Sequence, residues 1–177
     1  LTTIIAKEYF GDVAFASDTQ STAGARATAG RTKVFANGSV VFGVAGACRV
    51  SDILRFAELP QIPVGLKGVR LERWLITELV PAVQKELTNS GALENDNGEV
   101  SSNYEALLAV NGRLFTLGSD FALIGNARFA AIGSGSSYAL GALRAGATPK
   151  DAVRIAAEFD VYTGAKVIEY SAERLMK

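Results

Sequence analysis

The order of secondary-structure signals predicts a layered α+β fold, with helices outside and two sheets between them. Three observations carry this. Strand signals fall into three blocks separated by two adjacent helix pairs, which can cover the outer faces of stacked sheets. Residues 39–46 (SVVFGVAG) are almost continuously apolar, as in a strand covered on both faces. Residues 103–117 hold two apolar runs joined by Asn111-Gly112, a hairpin with an Asn-Gly turn.

Each element has its own signal. Residues 1–6 are rich in β-branched side chains and read as a strand that ties down its end of the chain. Residues 7–11 turn, and 12–16 return as a hairpin partner. The small, polar stretch 21–30 reads as a surface excursion. Residues 33–35 form a short strand, with Asn37-Gly38 turning into 39–46. Val50, Ile53, Leu54 and Ala57 have helical spacing within 47–59, and Pro60 ends that helix. Residues 61–68 form a loop. A longer helix spans 69–87, with Trp74, Leu75, Leu79 and Val83 on one face and a kink at Pro81. Trp74, Leu75 and Leu79 exceed what one small domain needs to cover, so they are expected at subunit contacts. Residues 89–102 read as a polar surface loop.

Strands at 121–124 and 129–132 lead into Gly133-Ser134-Gly135, and Ser136 or Ser137 caps a helix to 145. Thr148-Pro149-Lys150-Asp151 is a strong helix start, with a capping hydroxyl, proline at the first position and an acid at the third. Residues 161–163 and 166–170 finish the chain as strands.

Composition narrows the function. The chain has 177 residues, 49% of them hydrophobic, enough for one domain spanning 1–177 with a sizeable core. Formal net charge is zero, so nucleic acid is not an expected partner. There is no histidine, which excludes a Ser-His-Asp triad and weakens any zinc site. The single cysteine, Cys48, precludes an intrachain disulfide and reads as a buried, inert thiol. No run of about 18 apolar residues suggests a membrane span, and no basic-then-apolar leader is visible, so a cytoplasmic setting is expected.

The first residues carry the chemistry. A threonine hydroxyl is a weak nucleophile, but a free α-amine on the same residue can serve as its base. That amine titrates near 7.7–8.0, closer to neutrality than any lysine. Thr2 qualifies only if it comes first, and Leu1 precedes it.

The chain resembles the β-type subunits of the proteasome and the HslV peptidase, which are N-terminal nucleophile hydrolases. The resemblance spans essentially the whole chain, through Thr2-Thr3-Ile4-Ile5, Ala16-Ser17-Asp18, Ser21-Thr22-Ala23-Gly24, Lys33-Val34, Gly43-Val44-Ala45-Gly46, Ala131-Ile132-Gly133-Ser134-Gly135 and Asp160-Val161-Tyr162-Thr163-Gly164. The order and spacing of these blocks carry the weight. The resemblance implies a four-layer α/β/β/α sandwich and homo-oligomeric stacked rings. It also implies an ATPase unfoldase that delivers unfolded polypeptide.

By the same resemblance, Thr2 is the nucleophile, Asp18 the essential carboxylate and Lys33 the essential lysine. Gly46 donates a backbone N–H to the oxyanion. Ser134, Asp160 and Thr163 complete a network around the amine of Thr2. Ser21 and Thr22 border the substrate groove, and the small residues Val44, Ala45 and Cys48 suit an apolar side chain. Taken singly, Asp18 is also a turn cap, Lys33 an exposed strand charge, Gly46 a turn glycine, Ser134 a helix-entry residue and Asp160 a helix flank. No metal or cofactor is required for this chemistry; a bound cation is compatible with it but not implied.

Leu1 and the segment 61–70, with its prolines and glycines, depart from the family pattern. Leu1 has four competing accounts: a non-standard start codon whose residue is removed in cells, a propeptide remnant, a numbering artefact, or a catalytically silent relative. Two functions follow: a threonine peptidase working once Leu1 is absent, or a silent ring or scaffold subunit. An amidase for small molecules is a third, weaker alternative.

Overall fold

A computed structural model describes the chain apart from residues 1, 24, 25, 31, 97, 98, 102, 126, 127, 165 and 177, and apart from the side chains of 23, 26, 94–96 and 99–101. In chain order, β1 (Thr3–Tyr9) and β2 (Asp12–Asp18) form a hairpin, and β3 (Gln20–Ala23) and β4 (Arg26–Ala29) a smaller one. Then come β5 (Val34–Asn37), β6 (Val40–Gly46), and the helices α1 (Cys48–Phe56), α2 (Gly68–Trp74) and α3 (Val80–Asn89). A short hairpin, β7 (Glu94–Asp96) and β8 (Glu99–Ser101), precedes β9 (Tyr104–Val110), β10 (Arg113–Leu117), β11 (Leu123–Gly125) and β12 (Phe129–Gly133). The chain finishes with α4 (Ser136–Arg144), α5 (Pro149–Phe159), β13 (Val167–Ser171) and α6 (Ala172–Leu175).

Two antiparallel sheets organise these elements. One has the strand order β12-β1-β2-β13 and the other β11-β10-β9-β6-β5. Because side chains alternate along a strand, each strand feeds two cores. Ile4 and Phe15 of the first sheet face Val41, Ala45, Leu107 and Leu114 of the second across the middle. Ile5 and Ala16 face outward onto Leu143, Val153 and Ala156 of α4 and α5. Phe42, Val44 and Leu108 face outward onto Leu54, Leu75, Leu79 and Val83. The result is the four-layer α/β/β/α sandwich.

The structure differs from the sequence reading at several elements, each for a local reason. The helix expected at 69–87 runs through α2 and α3, joined by a π-helical turn at Leu75–Leu79. Pro81 has no N–H to return to Thr77, and the wider turn relieves the clash of its ring, so the helix continues. Leu75 and Leu79 are fully buried in this chain's own core and supply no subunit contact. Trp74 packs partly against the same core. Stretches 21–30 and 89–102 contain the short hairpins rather than plain loops. Gly135, not Ser136 or Ser137, stands at the N-cap of α4, with no side-chain cap. Thr148 caps α5 as expected, accepting from the Asp151 N–H. Residues 161–163 form a turn rather than a strand.

One end of the sandwich is closed. There the β1–β2 and β9–β10 turns meet, and a Cβ at Gly112 would lie 2.1 Å from the Gly11 carbonyl oxygen, at a φ of +72° that favours glycine. Glu8 crosses between the sheets, accepting from the Leu114 N–H at 2.8 Å and pairing with Arg113 at 3.2 Å. The other end is open.

Candidate active site

The open end is built around the start of β1. The β1–β2 register sets Ile4 opposite Ser17, which brings Asp18 alongside Thr2 and Thr3. Thr2 is 2% exposed. Its Oγ1 donates to Asp18 Oδ1 and accepts from Lys33 Nζ. Lys33 immediately precedes β5, so its side chain crosses from the second sheet to the first. Its Nζ donates to Asp18 Oδ1 at 2.8 Å and to the Gln20 carbonyl at 2.7 Å. Asp18 is fully buried and is held by backbone donors: Thr3 N–H at 3.0 Å on Oδ1, Gln20 N–H at 3.0 Å and Gly164 N–H at 3.3 Å on Oδ2. Burial of the ammonium lowers the Lys33 pKa from its ordinary 10.5, against the opposing pull of Asp18 and Cys48.

A second polar cluster lies beside it. Asp160 ends α5, and its Oδ2 accepts from Ser134 Oγ and from Thr163 Oγ1, each at 2.6 Å. Its Oδ1 accepts from the Tyr162 N–H at 3.1 Å. Burial raises the Asp160 pKa, but the Ser134, Thr163 and Tyr162 hydrogen bonds outweigh it and hold the carboxyl below 3.8. Ser134 Oγ lies 3.3 Å from the Thr2 carbonyl oxygen, and Thr163 Oγ1 lies 2.6 Å from Thr3 Oγ1.

Thr2 and Lys33 open onto a cavity of about 510 Å³, also lined by Ser21, Thr22, Val44, Gly46 and Cys48. Gly46 sits there at a φ of +108°, and a Cβ would lie 2.3 Å from the Asn103 carbonyl oxygen, so only glycine fits. Val44 donates its N–H to the Lys33 carbonyl and Ala47 to Asn103 on the other flank. Strand alternation therefore aims the Gly46 N–H toward the Lys33 side.

Two expected positions are corrected. Ala45 does not line the cavity; one residue out of phase with Val44 and Gly46, it is 3% exposed and points into the inter-sheet core. Cys48 is exposed rather than buried. It opens α1, whose buried residues are Val50 and Leu54, and so faces the cavity with Ser51 and Asp52. Sequence reasoning missed Thr3 and Gln20. Thr3 belonged to a β-branched run where any hydroxyl looked like strand propensity. Gln20 contributes mainly a backbone carbonyl, which no side-chain pattern reports. Leu1, on which the sequence reading turned, lies outside the described residues.

A sandwich of this layering is of the N-terminal nucleophile hydrolase fold type. Among solved structures, Thiobacillus denitrificans BPH matches with a TM-score of 0.76 at 27% identity, over 96% of either chain. The same protein in complex with epoxomicin matches at 0.74 and 24%, over 96% of this chain and 97% of that one. Eukaryotic HslV from Trypanosoma brucei matches at 0.65 and 20%, over 96% and 98%. No protein-family model matches the chain, and no curated relative does. By fold, the chain stands with the proteasome β-type and HslV proteins. No described helix is long and apolar enough to cross a membrane.

Proposed function

We propose that this chain is a threonine peptidase that cleaves unfolded polypeptide inside a ring-shaped chamber, with Thr2 as nucleophile and its own α-amine as base once Leu1 is absent. The observation that carries this is the contact of Thr2 Oγ1 with both Lys33 Nζ and Asp18 Oδ1 at the wall of the cavity. A buried ammonium against the hydroxyl stabilises the developing alkoxide, and Asp18 holds that ammonium in place.

In the proposed cycle the Thr2 hydroxyl attacks the scissile carbonyl and its proton passes to the Thr2 amine. The carbonyl oxygen takes up negative charge and accepts the Gly46 N–H. As the C–N bond breaks, the amine returns the proton to the departing peptide, leaving an ester on Thr2. Water then cleaves the ester with the amine again as base. Ser134 has one proton, and its 2.6 Å bond to the Asp160 carboxylate claims it over the Thr2 carbonyl at 3.3 Å. Its lone pairs are thus available to hold the amine. The side of β3 away from β4 offers backbone groups at Ser21 and Thr22 for an extended substrate, in the manner of a strand added to a sheet edge. The substrate side chain enters between Val44 and Cys48.

This reading places the chain in the cytoplasm, in a homo-oligomeric stacked ring fed by an ATPase unfoldase; the shared fold supports the ring assembly. Subunit contacts fall to exposed apolar residues such as Val69 and Ile76, since Leu75 and Leu79 are spent in the core. The BPH–epoxomicin complex shows this fold accepting a ligand and supplies a probe. The Thr2-initiated, assembled protein should hydrolyse short peptide amides and gain the mass of one epoxomicin, and Thr2→Ala should do neither. No hydrolysis across a broad peptide panel, with an ATPase partner present, would instead favour the silent ring or scaffold subunit.

A further inference from the structure

We infer that Thr3 is a positioning residue for the nucleophile: its hydroxyl heads a buried hydrogen-bond chain that clamps the turn 160–164 against β1. As a statement about catalysis it rests on the peptidase reading proposed above. The direction of the chain follows from proton counting. Thr163 has one hydroxyl proton, and the Asp160 carboxylate at 2.6 Å is the stronger acceptor for it. Thr163 Oγ1 must then accept at its 2.6 Å contact with Thr3, so Thr3 donates. Protons run from Thr3 to Thr163 to Asp160, and Ser134 joins Asp160 from the other side.

Thr3 also reaches the first cluster. Its N–H donates to Asp18 Oδ1 at 3.0 Å, and the Gly164 N–H donates to Asp18 Oδ2 at 3.3 Å. The turn is therefore tied to β1 at two points, by the Thr3 hydroxyl and through Asp18. Thr3 is the residue common to both ties. Packing does not explain its hydroxyl. Thr3 is 0% exposed, its neighbours Ile4 and Ile5 are apolar and equally buried, and burying a hydroxyl carries a desolvation cost that valine would not. Without the hydroxyl, Thr163 loses its donor, the turn can drift, and Ser134 moves with Asp160 relative to Thr2. The cavity-lining residues Ser21, Thr22 and Val44 lie on other elements and stay in place.

The test uses the assembled, Thr2-initiated protein carrying Thr3→Val, Thr3→Ser, Thr163→Val or both valines. Thr3→Val should lower kcat by about tenfold with KM unchanged, since small misplacements of a catalytic group act on the chemical step. Thr3→Ser, which keeps the hydroxyl, should restore kcat. The double valine should be no slower than the worse single, because both act on one bond. It should also regain stability over Thr163→Val, because no buried hydroxyl is left without a partner. A merely structural threonine predicts instead that activity tracks stability. Wild-type kcat in Thr3→Val, failed rescue by Thr3→Ser, or multiplicative losses in the double would overturn the positioning role.

A second readout needs no turnover. Amide exchange at Tyr162, Thr163 and Gly164, which donate to Asp160 and Asp18, should speed up in Thr3→Val and not in Thr3→Ser. Unchanged protection there overturns the clamp. Faster exchange in a chain whose wild-type form hydrolyses nothing would uphold the clamp while the peptidase reading falls.

Discussion

The two ends of the sandwich use the same device to different effect. At each, a carboxylate on the first sheet reaches a cation on the second: Glu8 to Arg113 at the closed end, Asp18 to Lys33 at the open end. Side-chain exposures of 19% and 58% at Glu8 and Arg113 let water screen that pair, which itself borders a cavity of about 380 Å³. Exposures of 0% and 12% at Asp18 and Lys33 shield that pair from most water, although a cavity of about 510 Å³ borders it too. Burial, more than the identity of the ions, separates a fastening from the candidate active site. A largely desolvated ammonium already aimed at the Thr2 hydroxyl is placed to stabilise an anion developing there; a solvated guanidinium is not.

Substitutions at matched positions can break that contrast. The largest expected effect is on turnover in the Thr2-initiated form. Lys33→Ala should lower kcat by roughly 10²–10³, the scale for removing one stabilising donor from a transition state, whereas Arg113→Ala should leave it unchanged. Comparable losses from both would erase the difference between the ends. Next come the glycines. Gly46→Ala and Gly112→Ala each force a Cβ toward a backbone oxygen at positive φ, at 2.3 and 2.1 Å. Each should cost about 1–3 kcal/mol of stability in denaturant unfolding. Activity per folded molecule should fall only for Gly46→Ala, because only that backbone borders the cavity beside Thr2.

A pH profile sharpens the contrast further. In the proposed mechanism the Thr2 amine must be neutral to act as base, while Lys33 must stay charged. Burial lowers the Lys33 pKa, so its charge is lost at a lower pH than for an ordinary lysine, and the alkaline limb of kcat should begin below 10.5. For folding, the sign is the reverse of a usual ion pair. The cost of burying this ammonium is present in full below its folded pKa and is relieved as pH rises through it. Lys33→Met should abolish that alkaline limb in any residual activity. The smallest expected effect is at the closed end, where Glu8→Gln should cost about 1 kcal/mol or less and lose its effect in high salt.

What was legible in the sequence follows the same physical line. The Asn111-Gly112 hairpin, the two-sided apolar strand at 39–46 and the Thr148 cap were visible because backbone demands there select few residues. The layered fold followed from them and from the element order. Thr2, Asp18 and Lys33 were found through the order of motif blocks, not by local pattern, since an aspartate after a strand and a lysine before one are commonplace. The short hairpins at β3–β4 and β7–β8 were hidden because they are small and polar. Residues 161–163 look like a strand by propensity, yet the Asp160 and Tyr162 hydrogen bonds bend them into a turn. Leu75 and Leu79 looked surplus because a sequence does not show how wide a sheet a helix must cover. Cys48 looked buried because residue averages ignore its place in the first turn of α1.

The most direct test of the central claim compares two chains that differ only at the N-terminus, one beginning with Leu1 and one with Thr2, each verified by intact mass and by assembly state. The Leu1-bearing form keeps the Thr2 hydroxyl, Lys33 and Asp18, but its Thr2 nitrogen is an amide and cannot accept a proton. The Thr2-initiated form should hydrolyse peptide amides and the Leu1-bearing form should be inactive or nearly so. Equal hydrolysis by the two would contradict a mechanism in which the Thr2 amine is the base.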